Sequence, residues 1–95
     1  MRRGYVYIMA NKKRGTLYIG VTNNLAERVY AHKLGKASQF TKRYGLTNLV
    51  WYEEFPIVPL AIQRETSLKR WKREWKIALI EKFNPDWRDL APGLV

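Results

Sequence analysis

Tyr5-Val6-Tyr7-Ile8-Met9-Ala10, then Asn11-Lys12-Lys13-Arg14-Gly15, then Thr16-Leu17-Tyr18-Ile19-Gly20, reads as a β-hairpin. Alternation puts Val6, Ile8 and Ala10 on one face of the first strand and Tyr5, Tyr7 and Met9 on the other. In the second strand Leu17, Ile19 and Val21 oppose Thr16, Tyr18 and Gly20. The same pattern chooses the register. Only a pairing with Tyr7 across from or diagonal to Tyr18 keeps Val6 and Ile8 on the face of Leu17 and Ile19, and a slip of one residue would scramble both faces. Two phenols then stand side by side next to Gly20, which has no side chain to block the close approach of a backbone or ligand. The connecting loop has turn chemistry, with Gly15 expected at positive φ. Its cations Lys12, Lys13 and Arg14 either touch phosphate or form a solvated basic tip.

Ninety-five residues allow one domain, here taken as 1–95, with its sizeable apolar residues in a single core. With no cysteine there is no disulfide framework and no thiolate metal site, which suits the cytoplasm. Met1-Arg2-Arg3 leads straight into an alternating strand, and no apolar run approaches the ~20 residues that a span needs, so neither signal peptide nor membrane span is expected, and no membrane partner. The net charge of +10 is unevenly spread: residues 1–50 hold ten Lys/Arg and one acid, Glu27, whereas residues 51–95 hold eight Lys/Arg and seven acids. The basic field thus belongs to the half that carries the hairpin. It fits a polyanion, most simply nucleic acid, although a basic surface also serves solubility or attracts anionic lipid.

Beyond Gly20, Asn24 stands as N-cap with Glu27 three positions on in a capping-box arrangement, and the helix should run to about Leu34 and stop at Gly35. Leu25 and Val29 mark its buried stripe; Arg28 and His32, four apart, share the edge of that stripe, where they either cap and pack or serve a site. Residues 36–46 interleave Lys36, Lys42 and Arg43 with Phe40 and Tyr44, and a short helix is expected from about Ser38 to Tyr44, ended by Gly45. Cations among aromatics suit a nucleic-acid surface, and Phe40 equally suits an anchor to the core. A third strand from about Asn48 to Phe55 alternates Leu49, Trp51, Glu53 and Phe55 against Val50, Tyr52 and Glu54. Pro56 and Pro59 close it. From about Leu60 to Arg73 the pattern is helical, with Ala61, Glu65, Leu68 and Lys72 on one arc. A carboxylate on an inward arc is costly unless paired, with Arg64, Lys69 or Arg28, or bound to a cation. After a polar break at Lys72-Arg73-Glu74 a second apolar run follows, read as two helices with a bend, and Asn84-Pro85 ends it. Trp87 and Leu90 fold back as a tail over the core. The expected architecture is α/β (α+β): a three-stranded, largely antiparallel sheet flanked by helices.

Tyr5-Val6-Tyr7 followed by Tyr18-Ile19-Gly20, then Arg28 and His32 on the next helix and an isolated helical Glu65, resembles the GIY-YIG nuclease superfamily in its small stand-alone bacterial form. The likeness covers Tyr5 to about Leu90. It departs in reading Tyr5-Val6-Tyr7 where the name-giving motif has Gly-Ile-Tyr, and Tyr7 is kept. The resemblance implies a metal-dependent endonuclease acting on nucleic acid, with DNA favoured over RNA. It implies catalytic Tyr7, Tyr18, Arg28, His32 and Glu65, with Glu65 holding a single Mg²⁺ or Mn²⁺ and Arg28 meeting the scissile phosphate. Tyr7 and Tyr18 would contact the water and phosphate, one of them as general base, and His32 is the rival base. Nucleic acid would lie along Gly20, Lys12, Lys13, Arg14, Lys36, Lys42 and Arg43. Asn84 carries over as a positioning residue or is a plain helix terminator. A competing class is a non-catalytic DNA- or RNA-binding module using the same basic groove. A third is a structural partner with a broad apolar patch, for which Trp51, Trp71 and Trp87 are the residues to watch. The expected state is a monomer or weak homodimer, and a partner protein is one source of targeting.

Overall fold

In the computed structural model, which describes residues 3–94, Val6 to Ala10 are buried to within 1% exposure because β1 (Gly4–Ala10) lies between two neighbours. The sheet order is β2 (Leu17–Thr22), β1, β3 (Asn48–Phe55), and both pairings are antiparallel. This is the expected three-stranded sheet. Val6 faces Val21, Ile8 faces Ile19, Tyr7 faces Gly20 and Met9 faces Tyr18, so Tyr7 and Tyr18 are diagonal neighbours on one face.

Both faces are covered. On one, α3 (Val58–Arg70) packs on β1 and β2 and α4 (Arg73–Phe83) on β3, burying Val6, Ile8 and Trp51 with Ala61, Leu68 and Ile80. On the other, Tyr7, Met9 and Leu49 meet Leu25 and Val29 of α1 (Leu25–Lys33), which in turn meets a closing 3-10 turn, Ala91–Leu94. The tail folds back as expected, but over two cores rather than the single one expected, because the central strand buries both of its faces: Trp87 fills the first and Leu90 borders the second.

The third strand departs from simple alternation. Ile8 pairs with Trp51 while Met9 pairs with Leu49, leaving Val50 as an extra residue. A bulge sets two residues against one and shifts the phase of everything beyond it. Leu49 therefore faces Tyr7 and Met9, whereas Val50 and Trp51 both enter the opposite core.

Local signals place the helix ends well. Asn24 Oδ1 accepts from the Glu27 amide at 3.2 Å, although the Glu27 carboxylate returns to the Asn24 side chain rather than to its backbone. α1 ends at Gly35, φ 71°, with Lys36 N–H reaching Ala31 O and Gly35 N–H reaching His32 O, the paired bonds of a Schellman turn. The next helix, α2 (Gln39–Tyr44), is capped by Ser38 and stops at Gly45.

At the hairpin tip the positive φ belongs to Arg14 (56°), not to Gly15. Gly15 is needed for space instead. A Cβ there would collide with the Asn11 side chain, whose oxygen accepts the Thr16 amide at 3.0 Å. α3 begins at Val58 with Pro59 in its first turn and ends at Arg70; Trp71 and Lys72 are extended, and α4 follows. The bend thus falls at Trp71-Lys72, where the polar triplet begins, and removes Lys72 from the arc of Ala61, Glu65 and Leu68. Trp51 and Trp87 are core residues, Trp71 is half-buried, and the exposed tryptophan is Trp75. Among the described residues no helix is long and apolar enough to cross a membrane.

Candidate active site

Tyr7 is 1% exposed because its strand is central, and a phenol hydroxyl buried there costs free energy unless it is hydrogen-bonded. His32 meets that need. Its Nε2 lies 2.9 Å from Tyr7 Oη, and its Nδ1 lies 3.0 Å from Thr41 Oγ1 of α2. The Thr41 hydroxyl continues to the Ser38 hydroxyl at 3.0 Å and the Ser38 carbonyl at 3.2 Å. Tyr18 closes the group, with its ring 6.4 Å from Tyr7 and edge-on to His32 at 5.4 Å.

Gly20 enters through space. A Cβ at Gly20 would come within 2.5 Å of Tyr7 Cζ, so the room beside this glycine is taken by the chain's own phenol. The two tyrosines are therefore unequal: Tyr7 is enclosed and Tyr18 is half-exposed.

Electrostatics ties in the two charged groups. Burial, followed by Tyr18 and Glu65, pushes the Tyr7 phenol well above its ordinary 10, while the Arg28 cation works the other way. Burial, and then the Arg28 charge, lowers His32 from 6.5 to about 4, so the ring is neutral near pH 7. Arg28 is exposed on α1, which brings it within the field of both rings. Glu65 belongs to α3, which packs on the face of β1 and β2 opposite to α1, and its charge is felt at the Tyr7 phenol. Its side chain is 16% exposed, and its carboxylate pairs through Oε2 with Lys69 Nζ at 3.4 Å.

As a cation ligand Glu65 would act with few protein partners. Among the described residues no group of three or more His, Asp or Glu side chains could jointly hold an ion. A single half-buried carboxylate nevertheless fits a hard divalent ion that keeps most of its waters and takes phosphate oxygens for the rest.

The predicted basic residues divide. Arg14 is held by Glu81 through two bonds of 2.9 Å, which lowers the Glu81 carboxyl to about 2. Lys36 borders a recess with Arg28 and Glu27, Arg43 lies over the Tyr44 ring, and Lys12 and Lys13 are exposed at the hairpin tip. Lys42 is exposed and lays its aliphatic stem beside Gly35. Sequence reasoning did not single out the cleft beside the site, lined by Leu17, Tyr18, Ile19, Phe40, Lys69 and Lys76. A second recess, which includes Lys12 and Arg73, shares Leu17 and Lys76 with it. Phe40 stands exposed 6.2 Å from Tyr18 and 4.9 Å from Tyr44, extending the aromatic row outward.

Sequence reasoning also missed Thr41 and Ser38, whose only local signal was a helix cap. Asn84 makes its hydrogen bonds elsewhere: its amide donates to the carbonyls of Val50 and Arg88, and its oxygen accepts the Arg88 amide.

Residues 3–78 match the GIY-YIG catalytic domain, a nuclease-type fold. A UPF0213 protein of Clostridium perfringens is 40% identical over 76 residues, covering 80% of this chain and 81% of its own. Another, from Staphylococcus haemolyticus, is 35% identical over 82 residues, 86% of this chain and 99% of its own. One from Oceanobacillus iheyensis is 35% identical over 77 residues, 81% and 88% respectively. Their names state no activity. No solved structure matches the chain.

Proposed function

The chain belongs to the GIY-YIG family, and from that premise we propose that it is a divalent-metal-dependent endonuclease hydrolysing phosphodiester bonds in nucleic acid, with DNA as the substrate. The observation that carries this reading is the enclosed 2.9 Å hydrogen bond between Tyr7 and the neutral His32, within the field of an exposed arginine. Such a pair can hold and move a proton.

Hydrolysis needs a water that gives up a proton near neutral pH and a site that stabilises the extra charge on phosphorus. Arg28 meets the phosphate with a planar fork of donors. The water arrives with the bound phosphate past Tyr18, the more open phenol, at a Tyr7 hydroxyl that the free protein keeps closed to solvent. Tyr7 Oη accepts its proton while the phenol's own hydrogen passes to His32 Nε2. Neither group suffices alone, since one resists ionising and the other is a weak base. Phosphate binding changes the balance, because the anion offsets the Arg28 charge that helps to hold His32 down. Glu65 would hold one Mg²⁺ or Mn²⁺, which when bound lends Lewis-acid stabilisation to the phosphoryl and leaving oxygens. Lys69, paired with Glu65 in the free protein, lies beside the cleft that the phosphate backbone would follow.

A non-catalytic binding module is the second reading, favoured by that Glu65–Lys69 pair, which already engages the carboxylate. One panel separates the two: single-stranded, duplex, flapped and branched DNA and RNA, each with Mg²⁺, Mn²⁺ or EDTA. Metal-dependent cutting of at least one DNA supports the endonuclease. Tight binding with no cutting in either metal supports the module, and cutting confined to RNA corrects the substrate. The same panel tells whether the chain selects its substrate by structure.

A further inference from the structure

We infer that Thr41 and Ser38 are positioning residues that hold His32 in its Nδ1–H tautomer, leaving Nε2 free to accept the proton of Tyr7. A neutral imidazole carries one hydrogen, and its place follows from counting donors and acceptors at both ends of the ring. Tyr7, His32 and Thr41 are each only 1% exposed, so solvent does not make up a missing bond.

At the Thr41 end, Oγ1 has three neighbours: His32 Nδ1 at 3.0 Å, Ser38 Oγ at 3.0 Å and the Ser38 carbonyl at 3.2 Å. The carbonyl can only accept, so the single Thr41 hydrogen goes there. Oγ1 then has two lone pairs for two donors, the Ser38 hydroxyl and His32 Nδ1–H. Ser38 Oγ can still accept the Thr41 amide at 3.0 Å, so every bond of the set is made at once. With the hydrogen on Nε2 instead, Thr41 must donate to Nδ1, and its contact with the Ser38 carbonyl sets acceptor against acceptor.

The Tyr7 end gives the same answer. The hydrogen bond recorded for the Tyr7 hydroxyl runs to His32 Nε2. If Nε2 carried the hydrogen, the phenol would accept from it and its own hydrogen would have no acceptor in a closed core. Each end thus loses one bond in the Nε2–H form, and a lost buried bond disfavours a state by roughly tenfold. The low proton affinity of His32 supports the neutral ring that this count assumes. The tautomer stands on the hydrogen bonds of a neutral ring, whereas its catalytic meaning rests on the nuclease reading.

The chain has a single histidine, so one spectrum suffices. Long-range ¹H–¹⁵N correlation on the ¹⁵N-labelled full chain at pH 7, without nucleic acid, distinguishes the protonated ring nitrogen from the bare one. The expected result is Nδ1–H in at least about tenfold excess. In Thr41→Val, which keeps the shape and removes the hydroxyl, the excess should fall about tenfold, and Thr41→Ser should restore it. A wild-type ring protonated on Nε2, or an unchanged ratio in Thr41→Val, overturns the inference. Should Thr41→Val fail to fold, Thr41→Ala gives the same readout, and the wild-type spectrum is decisive by itself. Cleavage is scored separately. A kcat for Thr41→Val about tenfold below wild type at unchanged KM supports the catalytic meaning, and an unchanged kcat removes it. A wild-type chain that shows Nδ1–H yet cuts nothing sinks the nuclease reading and leaves the tautomer standing.

Discussion

His32 sits between two hydroxyls in a closed core, and that position makes the folded chain sensitive to acid. Its folded pKa of about 4 lies below the ordinary 6.5, so between these values the unfolded chain takes up a proton that the folded chain refuses. Stability is full above pH 6.5 and drains as the pH falls towards 4. Between pH 7 and pH 5, where most carboxylates remain ionised, the loss should be about 2 kcal/mol. Urea midpoints across that range check it, and His32→Gln should flatten the dependence. Glu65 can be separated from the fold in the same way. Its partner Lys69 is 54% exposed, so the pair is a surface pair worth a few tenths of a kcal/mol. Glu65→Gln should melt within about 0.5 kcal/mol of wild type, abolish Mg²⁺-dependent cleavage, and leave affinity in EDTA equal or higher. A Glu65→Gln chain that cuts at the wild-type rate would remove the metal-ligand assignment.

Elements meet at two points where one residue carries the joint. In the hairpin, the pairing of Tyr7 with Gly20 folds a phenol over a glycine. Gly20→Ala should force Tyr7 aside, costing about 1–3 kcal/mol from overpacking, and should depress cleavage by loosening the Tyr7–His32 bond. A melt and a nicking assay on one protein would test both effects. At the other joint, Asn84 ends α4 and ties the bulged carbonyl of Val50 to the turn at Arg88. Two of its three bonds need the amide hydrogens. Asn84→Asp should therefore destabilise nearly as much as Asn84→Ala, about 2–3 kcal/mol in each case. If the aspartate proved close to wild type, the bond to the Arg88 amide alone would account for the joint.

For the whole molecule the decisive quantity is charge, and where it lies. Ten cations against one acid in residues 1–50, on a chain of net charge +10, should make nucleic-acid binding strongly dependent on salt. If ~5 phosphates are neutralised, the log–log slope on duplex DNA should be about −4 to −5. Affinity that is flat from low to high salt would contradict this. The fold adds a path that the charge count omits. Lys69 and Lys76 come from the less basic half, yet they flank the cleft beside Tyr18 and Phe40. Replacing both with alanine should make the slope shallower by about 2. A larger effect from Lys42→Ala with Arg43→Ala would place the strand over α2 instead.

What the sequence determined by itself was whatever short-range sterics and one-residue spacing encode. Alternation in Tyr5 to Gly20 decided the hairpin and its register, and Asn24, Gly35, Ser38 and Gly45 marked helix ends, because capping involves only a few neighbouring residues. The tertiary structure decided what depends on partners far apart in the chain. Alternation has no term for an inserted residue, so only packing between two covered faces revealed that Val50 bulges and that Leu49 and Trp51 part company. Spacing put His32 at the edge of a buried stripe, but its bonds to Tyr7, 25 residues away, and to Thr41, 9 residues away, exist because α1 covers a central strand and α2 meets α1. A buried polar group must find a partner wherever the fold brings one, and no local pattern says which it will be.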